Sequence, residues 1–411
     1  MIHIAFLLHI YQPPCQDYKI LRKIIAESYI PFLNVIKNTK NAKITLNITG
    51  SLTELLVLYG FNEVLSIINE LSIKDRIHFT GTGMYHPILP LLPKVEAERQ
   101  IELNEKFNSG VFEKFSKEKG FFPPELSISK GVLNLINLKG YKWTIADGVA
   151  CSKEWPTDKY YSYKNTAIFF RDSIISNQIA FKEITPSELI ERLKNLFEQD
   201  YYVIFAMDGE TFGHHIKGYE ITFLKNLFDL VAENEEFEFV FIDDLLKLYT
   251  NGGEIVPYDS SWSTSYFDIQ NEVPYPLWAN PNNRLHIIQN RLQDLVYDLL
   301  MIAENEMDLY KDNESFMNIY SNARNQMDKG ELSCKLWWSC PEHFDYNLII
   351  NGNQFLIKSA LASYNLIMKL DISRQLQNEC RKLYENILAE YQFLLHEIGT
   401  LFEYKYKFGH L

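Results

Sequence analysis

The sequence predicts an α/β domain, either a barrel or a doubly wound sheet, followed by an all-helical domain. Over residues 1–250 short apolar runs alternate with longer helix-type patterns. Several runs are continuously apolar, which is typical of parallel strands that are covered on both faces. From residue 284 onward the pattern is almost wholly helical. We therefore expect an α/β domain at residues 1–250, an irregular connection at 251–283 and a helical domain at 284–411.

The elements follow from local pattern. The expected strands lie at residues 4–8, 44–48, 77–79, 142–146, 168–170, 202–206 and 239–242. The clearest helix start places Thr185 at the N-cap, Pro186 at the first helical position and Glu188 in a capping box. The connection contains four prolines and the Gly252-Gly253 pair. Beyond it, helices are expected at residues 285–302, 316–328, 354–370 and 379–402.

Charge and composition narrow the range of possible functions. The chain has 40 Lys and Arg against 53 Asp and Glu, a net charge of −13. Such a chain repels phosphate backbones and anionic lipid, so neither nucleic acid nor membrane is expected as a partner. No apolar run is long enough for a transmembrane helix. Five cysteines without a CxxC pair predict neither a disulfide framework nor a zinc knuckle. The N-terminal run resembles a strand more than a signal peptide, so a cytoplasmic location is expected.

Four polar clusters follow predicted strands, at residues 9–14, 81–90, 120–127 and 206–215. In parallel α/β folds such positions converge on one face. Two of the clusters carry the carboxylates Glu125 and Asp208. A pair of carboxylates on one face suggests glycoside hydrolysis, with one as nucleophile or base and the other as proton donor. His9, His86 and His214 would then hold sugar hydroxyls or tune the acid.

These clusters resemble the motifs of glycoside hydrolase family 57, whose members act on α-glucans. His9-Ile10-Tyr11-Gln12-Pro13 is similar to the first motif, His-x-His-Gln-Pro, with Tyr11 in place of the second His. Residues 83–87 resemble the second motif. Phe122-Pro123-Pro124-Glu125 resembles the third, whose Glu is the nucleophile. Met207-Asp208-Gly209-Glu210 resembles the fourth, whose Asp is the general acid/base. Residues 239–244 fall where the fifth is expected.

The resemblance implies an incomplete (β/α)7 barrel followed by helices. It also implies a retaining hydrolase or transglycosylase of the α-amylase or 4-α-glucanotransferase type, acting on α-glucans or maltooligosaccharides without a cofactor or metal. Glu125 and Asp208 would be catalytic. The expected substrate-binding residues are His9, Gln12, His86, Glu210, His214, Trp278 and Trp338. The stretch 334–340 resembles the Trp-bearing stretch of the family's helical region, and the connection, which includes Trp262, could fold over the barrel mouth.

Two other functions are compatible with the same residues. One is a metal-dependent carbohydrate deacetylase, with ligands from His9, His86, Asp208, His214 and His215. The other is a non-catalytic glycan-binding or regulatory protein on a hydrolase scaffold, which would not need both carboxylates. The sequence does not decide between hydrolysis and transfer, and it does not give the bond specificity, the chain length of the substrate or the oligomeric state. Tyr11 and His86 depart from the family motifs, and the effect of these two departures is open as well.

Overall fold

The computed structural model describes residues 1–115, 120–196 and 200–408, with side chains up to residue 403. The chain divides into two compact units, Met1–Pro274 and Tyr275–Leu411. The boundary falls inside the segment 251–283, which the sequence predicts as an irregular connection. Each unit has its own apolar core.

Ten strands are found in the described part of the first unit. They are β1 (Ile2–Ile10), β2 (Ile44–Ile48), β3 (Ile77–Gly81), β4 (Gly120–Phe121), β5 (Trp143–Asp147), β6 (Lys159–Tyr163), β7 (Thr166–Arg171), β8 (Tyr201–Asp208), β9 (Phe237–Val240) and β10 (Thr250–Glu254). Its α-helices are α1 (Tyr18–Ile24), α2 (Ile30–Asn38), α3 (Gly50–Leu58), α4 (Asn62–Ile73), α5 (Lys94–Ser109), α6 (Lys130–Leu138), α7 (Ser173–Ala180), α8 (Pro186–Leu196), α9 (Asn226–Ala232), α10 (Ile242–Leu248) and α11 (Tyr266–Gln270).

Seven of these strands form one parallel run in the order β7, β5, β4, β3, β2, β1, β8. The run curves until its two ends, β7 and β8, meet. The Asp172 amide, directly after β7, donates to the Ile204 carbonyl of β8 at 2.8 Å. Strand β9 pairs with the first half of β1, and β6 and β10 extend the β7 edge. The predicted incomplete (β/α)7 barrel with a helical region after it is therefore confirmed.

The local patterns explain most of these elements. All nine residues of β1 are buried, as expected for a strand covered on both faces. All seven predicted strands are found at or next to their predicted positions. The α8 capping box is also present, since the Thr185 amide donates to Glu188 Oε2 at 2.8 Å and the Glu188 amide donates back to Thr185 Oγ1 at 3.3 Å. Strands β4, β6 and β10 are not among the seven predicted ranges. β4 has only two residues, and β10 is exposed along its whole length and has no apolar pattern.

The second unit consists of helices. They are α12 (Arg284–Met307), α13 (Glu314–Gly330), α14 (Cys334–Trp337), α15 (Tyr346–Ile367) and α16 (Arg374–Phe408). Four of the five were predicted, and only the single-turn α14 was not. Arg324 and Asp328 form an ion pair in this unit with both side chains almost fully buried. Within the described residues, no helix combines the length and the apolar character needed to cross a membrane.

Candidate active site

Strand register brings the predicted motifs to one end of the barrel. His9, near the end of β1, is paired with Asn47 of β2 on one side and with Asp208 of β8 on the other. The third motif begins where β4 ends, and β4 pairs with the last residues of β3. The first, third and fourth motifs therefore lie at the carboxyl ends of their strands, where parallel α/β folds place functional residues.

Glu125 is held in a constrained turn after β4. Its backbone is left-handed, with φ +58° and ψ +20°. The Leu126 amide donates to the Pro123 carbonyl at 2.8 Å and the Ser127 amide donates to the Pro124 carbonyl at 3.0 Å. A left-handed conformation is costly for a residue with a Cβ atom, and such strain is concentrated at functional sites. The two prolines and these bonds fix the direction of the carboxyl.

Trp262 binds Glu125 twice. Its indole Nε1 donates to Oε2 of the carboxyl at 2.5 Å, and its backbone amide donates to the Glu125 carbonyl at 3.0 Å. A short bridge between Ile128 and Ser260 fixes the same stretch of chain next to the site. The sequence suggested this aromatic segment for a sugar cleft but did not single out Trp262 as a site residue. No local signal indicates a hydrogen bond across 137 residues.

Beside Glu125 lies a stack of four rings. Tyr11 stacks on His86 with centroids 4.2 Å apart, His86 on His9 at 4.8 Å, and His9 on Phe122 at 5.0 Å, all within 20° of parallel. His86 Nδ1 lies 3.7 Å from Oε1 of Glu125. The rings of the first, second and third motifs are thus assembled into one wall.

Both imidazoles in this wall are neutral. Burial lowers the pKa of His9 to about 4 and lowers that of His86 well below its ordinary value, which the neighbouring His9 lowers further. Nδ1 of His9 lies 2.6 Å from Oδ1 of Asn47, whose amide nitrogen donates to Thr80. This orientation of the amide assigns the His9 proton to Nδ1, which leaves Nε2 with a lone pair suited to a sugar hydroxyl.

Asp208 ends β8 and is half-buried within the site. Burial raises the pKa of its carboxyl to about 6, and the positive charge of Arg171 opposes the rise. Arg171 stands at the end of β7 and donates from Nε to Asp147 Oδ2 at 2.7 Å. The barrel junction between β7 and β8 therefore carries a fixed cation close to the predicted acid/base.

Glu210 lies on the turn that follows Asp208. Its Oε1 accepts hydrogen bonds from the Tyr29 hydroxyl and, at 3.0 Å, from Nε2 of Gln12. Burial and the charge of Asp208 together raise the pKa of Glu210 to about 8, and these two hydrogen bonds oppose the rise. Two of the predicted binding residues, Gln12 and Glu210, are thus joined directly, and Tyr29 is a partner that the sequence did not indicate.

The carboxyls repel one another in a space of low polarity. Burial raises the pKa of Glu125 to about 8, the Asp208 charge adds to the rise, and the Trp262 hydrogen bond opposes it. The Glu125 side chain nevertheless keeps 19 % of its surface exposed, so a substrate can reach it. Like charges in such a setting keep at least one proton at neutral pH, which general acid catalysis requires.

Three predicted binding residues have different surroundings. His214 Nδ1 lies 2.7 Å from Glu27, in an ion-pair group with Lys217. Trp278 is fully buried in the helical unit, so its ring offers no face to a sugar. Trp338 is half-buried and packs against the core of that unit, with Trp337 edge-on at 4.6 Å. A binding role for these three residues stays a prediction. For Trp278, the burial of its ring gives that prediction no support.

The two aspartates of the predicted fifth motif, Asp243 and Asp244, make hydrogen bonds within the fold. Asp243 binds Nδ1 of His78 at 2.7 Å and accepts from the indole of Trp143. Asp244 caps α10 by accepting from the Phe241 amide at 3.1 Å. Among the described residues, no group of three or more His, Cys, Asp and Glu side chains is placed to hold a metal ion.

An incomplete (β/α)7 barrel that gathers buried carboxyls at its strand ends defines a barrel protein of the two-carboxylate class. The chain matches the model of glycosyl hydrolase family 57 over residues 9–257, and it belongs to that family. The resemblance deduced from the short motifs is therefore confirmed.

The chain is similar to an alpha-amylase of Pyrococcus horikoshii, with 25% identity over 267 residues that cover 61% of this chain and 41% of that protein. It is also similar to a 4-alpha-glucanotransferase of Thermococcus kodakarensis, with 22% identity over 331 residues that cover 76% of this chain and 46% of that protein. The chain spans less than half the length of these curated relatives.

Among solved structures, it resembles an exo-type maltose-forming amylase from Pyrococcus sp. ST04, with a TM-score of 0.72, 14% identity, and coverage of 98% of this chain and 85% of that one. A branching enzyme of the same family from Pyrococcus horikoshii gives a TM-score of 0.67 at 15% identity, covering 93% and 94% of the two chains. At these identities the likeness establishes the shared fold.

Proposed function

We propose that this chain is a retaining glycoside hydrolase or transglycosylase that acts on α-glucans, with Glu125 as nucleophile and Asp208 as general acid/base. The observation that carries the proposal is the pair of half-buried carboxyls that follow β4 and end β8, where the charge of Asp208 raises the pKa of Glu125. The names of the relatives, alpha-amylase and 4-alpha-glucanotransferase, support an α-glucan as substrate.

The reaction runs in two steps. An oxygen of Glu125 attacks the anomeric carbon while Asp208 donates its proton to the departing glycosidic oxygen, so that a glycosyl-enzyme forms. Ionised Asp208 then takes a proton from water or from a sugar hydroxyl, which attacks the anomeric carbon and releases Glu125. The hydrogen bond from Trp262 stabilises the Glu125 carboxylate both before attack and on its release.

The protonation of the free site differs from what the first step needs. The pKa of Glu125 is raised more than that of Asp208, so in the free site Glu125 holds a proton more readily than Asp208 does, as does Glu210. Two effects of the substrate reverse this. Positive charge that develops at the anomeric carbon favours ionised Glu125, and the glycosidic oxygen accepts the proton of Asp208.

Incubation with maltoheptaose tests the proposal. Products separated by length distinguish hydrolysis, which gives only shorter chains, from transfer, which also gives longer ones. Proton NMR of the first product shows whether the α configuration is retained. For a retaining enzyme we also expect the two carboxyls to lie about 5–5.5 Å apart in a substrate-bound crystal structure. Inversion of configuration, or a separation of about 9 Å, would contradict the role of Glu125 as nucleophile.

The two alternatives give different results in the same assay. A non-catalytic glycan-binding protein would bind maltoheptaose and release no product at any enzyme concentration. A metal-dependent deacetylase would leave maltoheptaose unchanged, because this sugar carries no acetyl group, and would release acetate from an acetylated oligosaccharide until its metal is chelated. Nothing in the arrangement of the described residues favours this alternative. We further propose a cytoplasmic location on the basis of composition, since the five cysteines are odd in number and contain no CxxC pair.

A further inference from the structure

Arg171 lies behind the proposed site, although no motif in the sequence indicates it. Its side chain is buried, and the guanidinium is fixed at three points. Nε donates to Asp147 at 2.7 Å, Nη1 to the Ala206 carbonyl at 2.8 Å and Nη2 to Asn177 Oδ1 at 2.7 Å. The bond to Ala206 crosses from β7 to β8, so this cation is rigidly held where the barrel run closes.

The guanidinium of Arg171 lies over the indole ring of Trp262. The central carbon of Arg171 lies 5.4 Å from the centroid of the indole, within the range of a cation–π interaction. The same indole donates from Nε1 to Glu125 at 2.5 Å. A cation over the ring withdraws electron density from it, which makes the N–H a stronger donor to the carboxylate. Arg171 is therefore linked to Glu125 through one intervening ring.

The second link runs to Asp208. The charge of Arg171 opposes the rise that burial causes in the pKa of this carboxyl. Ala206, which accepts from Nη1, stands two residues before Asp208 on the same strand, so the bond also fixes the end of β8. The charge of Arg171 thus acts directly on Asp208, the predicted acid/base. It acts indirectly, through the indole of Trp262, on Glu125, the predicted nucleophile.

We propose that Arg171 is a positioning residue that acts on both predicted catalytic carboxyls, on Asp208 through its charge and on Glu125 through the indole of Trp262. This inference rests on the proposed function and deepens it. The groups that set the charge of the site from its surrounding elements are Arg171, Asp147, Glu125, Asp208, Glu210, Tyr29, His9 and His86. Both imidazoles are neutral, and Arg171, which is paired with Asp147, is the cation whose charge acts on Asp208.

Two substitutions separate the two paths. Trp262→Phe keeps a ring beside Arg171 but removes the N–H donor, so only the Glu125 path is broken. Arg171→Gln removes the charge and breaks both paths. The first readout requires no turnover: the pH titration of tryptophan fluorescence, taken as parent minus the same protein with Trp262→Phe, isolates the signal of Trp262. Its inflection reports Glu125, and Glu125→Gln should abolish it.

We expect Arg171→Gln to move this fluorescence inflection up by at most about one pH unit, because the charge-assisted hydrogen bond from Trp262 is weakened but not lost. The pH profile of kcat/KM for maltoheptaose gives the second readout, and its two inflections belong to the coupled carboxyls as a unit. Trp262→Phe and Arg171→Gln should each shift the profile, and the larger shift should be that of Arg171→Gln. In the Trp262→Phe background, Arg171→Gln should cause a smaller shift than in the parent, because the indole path is already absent.

A matched control is available in the same chain. Arg324→Gln breaks a buried Arg–Asp pair in the helical unit. This control should lower the melting temperature without moving either inflection. A purely structural role for Arg171 would give that same result, with reduced activity and unshifted inflections.

The outcomes also distinguish this inference from the proposed function. A shifted fluorescence inflection without turnover of any α-glucan would uphold the role of Arg171 and overturn the proposed activity. Turnover with unshifted inflections in Arg171→Gln would overturn the inference alone. If the Gln variant does not fold, Arg171→Lys replaces it, since a lysine keeps the charge but not the planar fork. A lysine lacks the three hydrogen bonds that hold the cation over the indole, so the fluorescence inflection should still shift upward in that variant. An unshifted fluorescence titration would reject the indole path.

Discussion

His86 and Glu125 face each other from two backbone positions that are both left-handed, each with φ +58°. The imidazole Nδ1 lies 3.7 Å from Oε1 of the carboxyl. Neither residue is a glycine, so each of these conformations costs on the order of 1–3 kcal/mol, which the surrounding structure must offset. The two turns that carry this strain are those of the second and third motifs. We infer that the barrel holds them in place to fix the geometry of the site.

Glu125→Gln should abolish turnover of maltoheptaose, by a factor of about 10³ or more, while the protein stays folded. The amide cannot form the glycosyl-enzyme, yet it has the shape of the carboxyl and can still accept from Trp262. Initial rates together with thermal unfolding measure both effects. Activity equal to that of the parent protein would rule out Glu125 as the nucleophile.

Asp208→Ala should affect substrates according to their leaving group. Maltooligosaccharides need a proton on the departing oxygen, and the loss should be large, on the order of 10²–10⁴-fold. Maltosyl fluoride needs no such proton, so its first step should be nearly unaffected. Addition of azide should then yield a glycosyl azide of retained configuration, because Glu125 still forms the intermediate. An equal loss on both substrates would place the acid elsewhere.

The stability of the protein should respond to pH through Glu125. Burial and Asp208 raise the pKa of Glu125 from an ordinary value of 4.5 to about 8. Its folded-state pKa is therefore above the unfolded one, so the folded state binds the extra proton. The resulting stability is fully present below about pH 4.5 and is lost as the pH rises through 8.

Glu125→Gln should remove this loss. We expect the melting temperature of the variant to exceed that of the parent by several degrees near pH 9 and by much less near pH 4.5. The exposed Glu188, whose pKa a hydrogen bond with Thr185 lowers, provides a control of opposite sign. Its replacement by Gln should not stabilise the protein at high pH. A constant difference between parent and Glu125→Gln across the range would show that this carboxyl is not desolvated.

Gly120→Ala should destabilise the barrel and impair the site. A Cβ atom at Gly120 would meet Cε2 of Trp143 at 2.0 Å, so the two-residue strand β4 or the indole must move. Overpacking of this kind costs about 1–3 kcal/mol, and a displaced β4 also displaces Glu125. We expect a melting temperature lower by several degrees and a decrease of kcat by at least tenfold.

Gly131→Ala is the matched control for this change. Its nearest neighbour would be Ser129 Oγ at 3.6 Å, an ordinary contact, and the position lies in helix α6. Alanine is the better helix former, so this variant should be neutral or more stable by up to about 1 kcal/mol, with unchanged kcat. Equal effects of the two substitutions on kcat would argue that β4 does not position Glu125.

The sequence indicated the strand ends but not every strand. Continuous apolar runs such as β1 and β8 are visible because burial on both faces imposes a local pattern. β4 has only two residues, and it is a strand because it pairs with β3 and β5 on either side. Such pairing is a property of neighbours in space, so it leaves no periodicity in the chain.

What the sequence determined by itself is the parallel barrel, the helical region and the positions of Glu125 and Asp208 at strand ends. These depend on apolar period, on turn residues and on short motifs, all of which are local. The tertiary structure alone decided that Trp262 donates to Glu125, that Tyr29 binds Glu210, that Arg171 lies over the indole, and that Trp278 is buried. Each of these depends on which distant segments meet when the barrel closes, and the free energy of such contacts is shared between residues that no local pattern connects.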